Sequence, residues 1–590
     1  MTRKAIFLVA ALTFVAFVNT LGSHFTGDAY SLFVENHFYE DSANVSKVFS
    51  KRLVMGPDEL NSGFVTHPTT NYSGFVSYRP ITALSFFLDY AIWGKTPFGY
   101  HLTNLLLHIL TTLLVYLLAL GISKATDLAL LVAILFGIHP IQAEVVNSIG
   151  YRSDSLVVLF YLSTILAYRK FRTSRSRWRK IFILISALCF FLALFSKESA
   201  LSLPFLLILY DYWFLFRGPP GDFLRLRLKV YLPYMAVFIF YLIMYFNVMA
   251  NIFYSHFRPL SADAAAQIKI LAEILFRYLE ALFLPWRVTV LPPLYAPTSG
   301  SVPMWHICFV VIFIVGAIIF ARGQFKKNRA NTFAVIWFFV TYLPTANLLT
   351  LLNPFAFRFM YLPSIGFFLA TAWGIDHTLS FFKKKNWPIN LATIFKIALV
   401  GTALSVTIPL NLFFKNNIVT CREMIRVYPS SSRPYWLLGL IDFKEGEYDQ
   451  ALAHLQRYLD NPPNLPFIPN PRGDYAVYHL MGRSYVDDPD CAIQMFYKVI
   501  ELNPKFALVY VDLAKAYILK NDFEDALNAS LTAIAFEKDL VPAYVYTIHS
   551  YWALGQMIPA KEWLAKGLAL APQDSGLLYL KSMMDQNESR

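Results

Sequence analysis

The chain has 590 residues, of which 56% are hydrophobic and only 15% are charged, and its formal net charge at pH 7 is +13. Soluble domains carry about a quarter charged residues, so this composition indicates a membrane protein. The positive charge does not indicate nucleic-acid binding, because Lys and Arg gather in short loops between apolar runs. These loops lie at 169–180, 225–229, 322–329 and 383–385.

Basic loops of this kind mark the cytoplasmic side of a membrane protein. The first apolar run, residues 5–22, follows Arg3 and Lys4 and shows no small-residue cleavage site, so we interpret it as an uncleaved first span. Further apolar runs lie near 100–120, 127–147, 155–168, 180–196, 199–216, 230–250, 303–321, 332–351, 359–379 and 392–413. The sequence therefore predicts an α-helical, polytopic membrane bundle of about eleven spans.

Alternation of sides places the segment 23–98, the loop 251–302 and everything after residue 414 outside the cytoplasm. We therefore expect a membrane domain over residues 1–414 and a second domain over 415–590. The favoured location is a bacterial inner membrane with the second domain in the periplasm. In a eukaryote the equivalent location is the endoplasmic reticulum membrane with that domain in the lumen.

The second domain shows a 34-residue period. Ala492, Ala526 and Ala560 share one register, and Tyr517 and Tyr551 share another. Small residues where two helices cross, repeated at this interval, resemble the tetratricopeptide repeat (TPR). Such repeats stack into an α-solenoid whose concave face usually binds peptide or protein.

The cysteines show no metal-ligand spacing, and no metal site is predicted. Cys421 and Cys491 both fall outside the cytoplasm by alternation, and a disulfide between them is compatible with the sequence.

Ionisable residues recur at the predicted outer side of the bundle, where charge is costly unless it lines a cavity or has a partner. They are Asp28, Glu35, Arg79, His139, Glu144, Arg152, Asp154, Lys197, Glu198 and Arg358. Cations of this kind suit a lipid phosphate, because each offers charge-assisted hydrogen bonds. A nearby carboxylate suits general-base work on a hydroxyl group.

Six of these residues also have an ordinary structural interpretation. Arg152 and Asp154 are compatible with a helix cap in which they pair with each other, and Lys197 and Glu198 with a solvated turn. His139, before a proline, is typical of a helix end, and Asp28 stands where an N-cap is common. Chemistry is favoured because all of these groups fall on one side.

Several motifs, in order, resemble those of the transmembrane-and-TPR O-mannosyltransferase (TMTC) family: SYRPIT (77–82), HLTNLLLH (101–108), HPIQAEVVNSIGYRSD (139–154), SKES (196–199) and RFMYLPSIGF (358–367). The resemblance covers nearly the whole chain. It implies a GT-C glycosyltransferase fold with its site at the periplasmic or luminal face. It also implies inverting transfer of a sugar from a polyprenyl phosphate to a Ser or Thr hydroxyl.

The resemblance assigns the catalytic carboxylate to Asp28, the first position of an acidic pair. The chain departs from the family pattern at Ala29, where the second acid is expected, at Tyr151 in place of a glycine, and at Phe357 in place of an acid. Because Ala29 is not acidic, Glu35 is the competing candidate for the base. The resemblance implies an undecaprenyl or a dolichyl phosphate sugar as the donor, the sequence identifies no further cofactor, and nothing in the sequence requires mannose.

The expected partners are the lipid-linked sugar, in the membrane, and an acceptor protein, which the solenoid would hold. Three other functions remain compatible with the sequence. One is a non-enzymatic scaffold or receptor that uses its repeats to hold a partner, and another is a GT-C transferase acting on a lipid or glycan. A transporter is the third, although the chain lacks the two similar halves typical of that class.

Overall fold

The computed structural model describes residues 3–35, 37–49, 53–54, 76–256, 263–290, 302–348, 355–384, 389–429, 431–461 and 473–588. These residues are almost entirely helical, apart from an antiparallel pair of two-residue strands, β1 (Leu53–Val54) and β2 (Val76–Ser77). They form two compact units, one ending at Val427 and the other beginning at Tyr428.

The first unit contains the following α-helices: α1 (Arg3–Phe17), α2 (Asp28–Tyr30), α3 (Pro80–Trp93), α4 (Pro97–Ser123), α5 (Thr126–Ile138), α6 (Ala143–Asn147), α7 (Arg152–Thr173), α8 (Arg179–Leu194), α9 (Leu203–Tyr210), α10 (Phe223–His256), α11 (Ala264–Phe283), α12 (Met304–Gln324), α13 (Arg329–Tyr342), α14 (Ser364–Lys384), α15 (Ile389–Leu412) and α16 (Asn417–Val427). Short 3-10 turns connect several of them, including Pro140–Gln142, Ile149–Tyr151, Glu198–Ser202 and Phe357–Met360.

Five helical segments among the described residues are long and apolar enough to cross a membrane: Arg3–Gly22, Pro97–Ser123, Pro220–Val248, Met304–Gln324 and Thr393–Leu412. A sixth arises if α5 and the segment Pro140–Asn147, which meet at an angle of 50°, count as one broken span. The structure thus supports a membrane protein, whereas the number of about eleven spans stays a prediction. The helix α7 has charged residues at both ends and is not one of the five candidate membrane spans.

One buried arginine joins three helices of the first unit. Arg152, the first residue of α7, is 0% exposed. Its guanidinium forms an ion pair with Asp89 of α3 at 2.6 Å and donates to Asn104 Oδ1 of α4 at 2.8 Å. It also donates to the carbonyl oxygens of Ser85, at 3.3 Å, and Tyr100, at 3.1 Å. The charge is therefore satisfied inside the protein, and these contacts fix where α7 begins.

The second unit consists of helix pairs: α17 (Arg433–Glu445), α18 (Tyr448–Asp460), α19 (Gly473–Ser484), α20 (Pro489–Leu502), α21 (Ala507–Leu519), α22 (Phe523–Phe536), α23 (Val541–Ala553), α24 (Met557–Leu570) and α25 (Ser575–Glu588). Each helix packs against its neighbour in the chain.

Small residues stand at the helix crossings of this unit. Ala526 and Ala560 are 0% exposed, and a Cβ on Gly482 would lie 2.5 Å from the ring of Phe496. Helix pairs that cross at small residues every 34 positions are the arrangement predicted from the TPR-like period. Among the described residues no disulfide is formed.

We expect the substitution Arg152→Ala to destabilise the first unit. It removes one partner of a buried ion pair and leaves the Asp89 carboxylate uncompensated, a change that typically costs about 3–5 kcal/mol. Thermal unfolding of the purified chain in detergent measures the effect. The control Arg287→Ala removes an exposed arginine, whose side chain is 60% exposed, and should change stability little. Equal melting temperatures for the two variants would contradict the structural role of Arg152.

Candidate functional site

The stretch from His139 to Asp154 is a broken helical segment whose polar side chains are buried. After α5 the backbone at His139 becomes extended, with φ −70° and ψ 134°, and Pro140 begins a 3-10 turn. Proline disfavours helical geometry in the residue before it, which explains the break. The short helix α6 and a second turn, Ile149–Tyr151, then lead into α7.

The first ion pair of the site joins α6 to the turn Phe357–Met360. Glu144 accepts a hydrogen bond from the backbone N–H of Arg358 at 3.0 Å, and its other oxygen pairs with the Arg358 guanidinium. Both side chains are only 3% exposed. The guanidinium carbon also lies 3.9 Å from the centroid of the Tyr151 ring, a cation–π contact.

Two further ion pairs join α7 to the segments around it. Lys197 Nζ donates to both oxygens of Asp154, at 2.6 and 2.7 Å. Arg79 Nη2 lies 2.7 Å from Glu198 Oε1, and Arg79 Nη1 donates to the Ser153 hydroxyl at 3.3 Å. Ser153 and Asp154 are adjacent in the first turn of α7, so this turn brings the second and third pairs together.

These three pairs form one electrostatic cluster. Burial opposes ionisation of Glu198, but Arg79 and Lys197 outweigh it and lower its pKa to about 2. The charges of Asp154 and Arg358 also act on Arg79. Three cations thus face three carboxylates, and the formal charge of the cluster is zero.

Solvent reaches this cluster at one pair. The side chains of Arg79 and Glu198 are 16% and 42% exposed, whereas those of the other two pairs are between 3% and 8% exposed. A molecule entering from solvent therefore meets Arg79 and Glu198 first.

Asp28 lies beside the turn that leads into α7. It begins the short helix α2 and is partly exposed. A Cβ on Gly150 would lie only 3.1 Å from the Cβ of Asp28, so a side chain at position 150 would press on Asp28. The next residue, Tyr151, carries the ring against which Arg358 packs, so a single turn links Asp28 to the cluster.

The backbone before Asp28 is held in place from a distant part of the chain. Gly27 has a φ of +54°, which favours glycine, and its N–H donates to Asn417 Oδ1 at 2.8 Å. Glu35, the competing candidate for the base, ends the π-helical turn Ser31–Glu35, and its side chain lies outside the described part of the structure.

Two predicted site residues have structural contacts instead. Arg152 turns away from the three pairs into the closed network with Asp89, so we no longer assign it to phosphate binding. His139 is 5% exposed, and its Nδ1 accepts a hydrogen bond from the backbone N–H of Ile141 at 3.2 Å. His139 thus caps the turn that follows it.

Sequence reasoning missed two contributors, Ser153 and Tyr151. The signal for Ser153 was its place in the first turn of α7, one position before Asp154. Tyr151 was noted as a departure from the family pattern, and its contact with Arg358 becomes visible only in the fold. In the parts of the chain that the structure describes, no three His, Cys, Asp or Glu side chains are grouped so as to hold a metal ion.

Comparison with solved structures gives weak overlaps. The crystal structure of MamA has a TM-score of 0.24 at 18% identity and covers 26% of this chain and 87% of its own. That of yeast Tom70 has a TM-score of 0.24 at 12% identity and covers 81% of this chain and 88% of its own. Scores this low carry no structural argument.

No protein-family model matches the chain. Curated relatives do match. The protein O-mannosyl-transferase TMTC3 of Homo sapiens is 21% identical over 98% of this chain and 65% of its own length. The protein O-mannosyl-transferase F38B6.6 of Caenorhabditis elegans is 22% identical over 74% of this chain and 60% of its own length.

A more local match, to the protein O-mannosyl-transferase Tmtc1 of Drosophila melanogaster, is 31% identical over 33% of this chain and 21% of that protein. The chain therefore spans less than two thirds of the length of these relatives. The resemblance inferred from the motifs is confirmed by these matches. The chain is a relative of the transmembrane-and-TPR protein O-mannosyl-transferases along most of its length.

Proposed function

We propose that the chain is a membrane glycosyltransferase that transfers a sugar, mannose by analogy with its relatives, from a polyprenyl phosphate to a Ser or Thr hydroxyl of a protein. One observation carries the proposal: three ion pairs converge beside the turn that contacts Asp28. A transferase of this kind needs cations for a departing phosphate and a carboxylate for the acceptor proton. A non-enzymatic scaffold needs neither phosphate-binding cations nor a carboxylate base, so we treat the scaffold as the second candidate function.

Arg79 is the cation best suited to meet the donor phosphate first. A phosphate can bind only if a cation turns partly from its carboxylate, because the cluster is neutral without it. Arg79 loses least by doing so, since Glu198 is 42% exposed and water can solvate it. A buried carboxylate such as Glu144 would lose its partner without that compensation.

Lys197 and Arg358 are more deeply buried than Arg79 and stabilise the same donor phosphate through their charges. Their charges act on one another and on Arg79, and they stay enclosed by Asp154 and Glu144. A phosphate that leaves the sugar changes from a diester with one negative charge to a monoester with up to two. Fixed cations in a site of low dielectric stabilise that added charge without reorganising.

The reaction we propose is a single displacement. Asp28 accepts the proton of the acceptor hydroxyl while the hydroxyl oxygen bonds to the anomeric carbon. The bond between that carbon and the phosphate oxygen breaks, and its electron pair stays with the polyprenyl phosphate. Attack from the face opposite the phosphate inverts the anomeric configuration, so base and cations stand on opposite sides of the sugar.

We place this site at the periplasmic or luminal face of the membrane. The helix α7 starts at the site and ends in the basic segment that the sequence assigns to the cytoplasm. Its 22 residues span roughly 33 Å, close to the thickness of a bilayer core. We further propose that the boundary near residue 414 separates the catalytic domain from the TPR array, which holds the acceptor.

Substitutions at Arg79 test the phosphate contact. We expect Arg79→Ala to raise KM for the lipid-phosphate donor by about tenfold or more, since one charge-assisted contact is lost. Arg79→Lys should recover part of this loss, because it keeps the charge but not the planar donor pair. Donor kinetics with purified enzyme measure both. Arg287→Ala is the control, and an unchanged KM in Arg79→Ala would remove Arg79 from the site.

Substitutions of the two acids test the base. Asp28→Asn keeps the size of the side chain but removes its basicity, so turnover should fall by about 10²–10⁴-fold while donor binding persists. Glu35→Gln and the exposed control Asp41→Asn are assayed in the same transfer reaction. If Glu35→Gln is inactive while Asp28→Asn works normally, Glu35 is the base. If both variants keep their activity, a carboxylate base in this segment is excluded.

Deletion of residues 475–590 tests the role proposed for the TPR array. A concave solenoid that holds the acceptor raises its effective concentration at the site. The truncated chain should therefore glycosylate its native acceptor protein more slowly, while its KM for the donor and its rate with a short Ser- or Thr-containing peptide stay the same. An equal rate with the native acceptor would show that the array serves another purpose.

A further inference from the structure

Two cations from different parts of the chain meet at the basic end of the bundle, at the far end of α7 from the candidate site, and the charge of a third acts on one of them. They are Lys124, in the link between α4 and α5, Arg169, near the end of α7, and Arg217, in the link before α10. We propose that this group, which we name the cation notch, binds the phosphate of an anionic phospholipid headgroup.

The notch is built around Gly121. Lys124 caps the end of α4 with a φ of +59°, and its Nζ donates to the Gly121 carbonyl at 2.7 Å. The guanidinium of Arg169 lies over the same glycine, and a Cβ there would be 2.5 Å from Arg169 Nη1. A single residue without a side chain thus allows two cations to stand next to each other.

No ion pair satisfies these cations in the described residues. No ion pair is formed there by Lys124, Arg169 or Arg217. The acids nearest to them in sequence, Asp127 and Asp222, also form no ion pair in that part of the chain. Burial, together with the charges of Arg169 and Arg217, lowers the pKa of Lys124. Like charges gathered in this way repel one another, and an anion among them relieves the repulsion.

A buried polar network holds together the ends of the two neighbouring helices, α7 and α10. Asp211 is buried, accepts hydrogen bonds from Tyr168 at 2.5 Å and Tyr231 at 2.9 Å, and pairs with Arg172 and Arg227. This network joins the end of α7 to the start of α10. Arg169 stands one turn before Arg172 on α7, which places it on an ordered element.

The surroundings favour a lipid over a free anion. Exposed leucines alternate with cations at the start of α10, where Leu224 is 66% and Leu228 is 58% exposed. Trp178, which follows the basic end of α7, is 60% exposed. Apolar and basic side chains interleaved in this way are typical of a membrane interface with anionic headgroups. The C-terminal end of α4 carries partial negative charge and stabilises one nearby cation, but a single helix end does not explain why three cations lie there.

Native mass spectrometry of the full chain tests the proposal with phosphatidylglycerol and phosphatidylcholine as competing lipids. The wild type should retain phosphatidylglycerol in preference to phosphatidylcholine. The double variant Lys124→Gln/Arg169→Gln should bind phosphatidylglycerol at least about tenfold more weakly, since two charge-assisted contacts are lost. The control Arg175→Gln/Lys180→Gln removes two exposed cations of the same basic segment and should retain the lipid. The charge-keeping variant Lys124→Arg/Arg169→Lys should recover most of the binding.

Equal losses in the notch variant and the control would overturn the proposal, because the surface would then be diffusely basic. A further experiment adds inorganic phosphate to the full chain and measures its thermal unfolding temperature. If phosphate stabilises the wild type and phosphatidylglycerol does not, the ligand is a free anion and the lipid assignment is wrong. Arg217→Gln, a change in an exposed link, repeats the lipid test should the double variant fail to fold.

Discussion

The burial of one positive charge, that of Arg152, governs the geometry of the candidate site. A cation at the first residue of a helix is unfavourable, because the N-terminal end of the helix carries partial positive charge. Here the cost is offset by the Asp89 carboxylate and by carbonyl oxygens from two other helices. Since Arg152 cannot move without losing these contacts, the next two residues, Ser153 and Asp154, are held where Arg79 and Lys197 meet them.

The site is consequently an array of paired charges whose pairs differ in accessibility. Each cation has its own carboxylate, which allows three charges of one sign to be enclosed in a membrane protein. The same pairing limits what can bind, since an incoming anion must compete with a carboxylate. Competition is easiest where the carboxylate is solvated, so the exposure of Glu198 directs a ligand towards Arg79.

The sequence predicted the membrane character and the helical repeats, because hydropathy and the 34-residue period need no tertiary information. It named the residues of the three ion pairs as candidate site residues but did not predict how they pair. It did not predict that Arg152 faces away from Asp154. Residues two apart on a helix point in widely different directions, and which of them turns inwards depends on what packs there. His139 caps a turn, as one of its two sequence interpretations expected, and its role in the site stays a prediction, because a capping side chain and a ligand-binding one have the same sequence context. The span count could not be settled, since a break at Pro140 and buried polar side chains blur the boundary between a span and a packed helix.

The two ends of α7 impose complementary constraints on a protein that works at a membrane surface. At one end the neutral array has no excess charge to attract headgroups, which in the proposed function leaves its accessible pair available to a single donor phosphate. At the other end the proposed cation notch has an excess of positive charge, which favours contact with an anionic headgroup. In the proposed arrangement α7, which is about 33 Å long, crosses the bilayer and is anchored at its basic end, so it cannot slide through the membrane. In the proposed arrangement, the notch therefore sets the depth at which Arg79 and Asp28 meet a donor whose phosphate lies at the opposite surface.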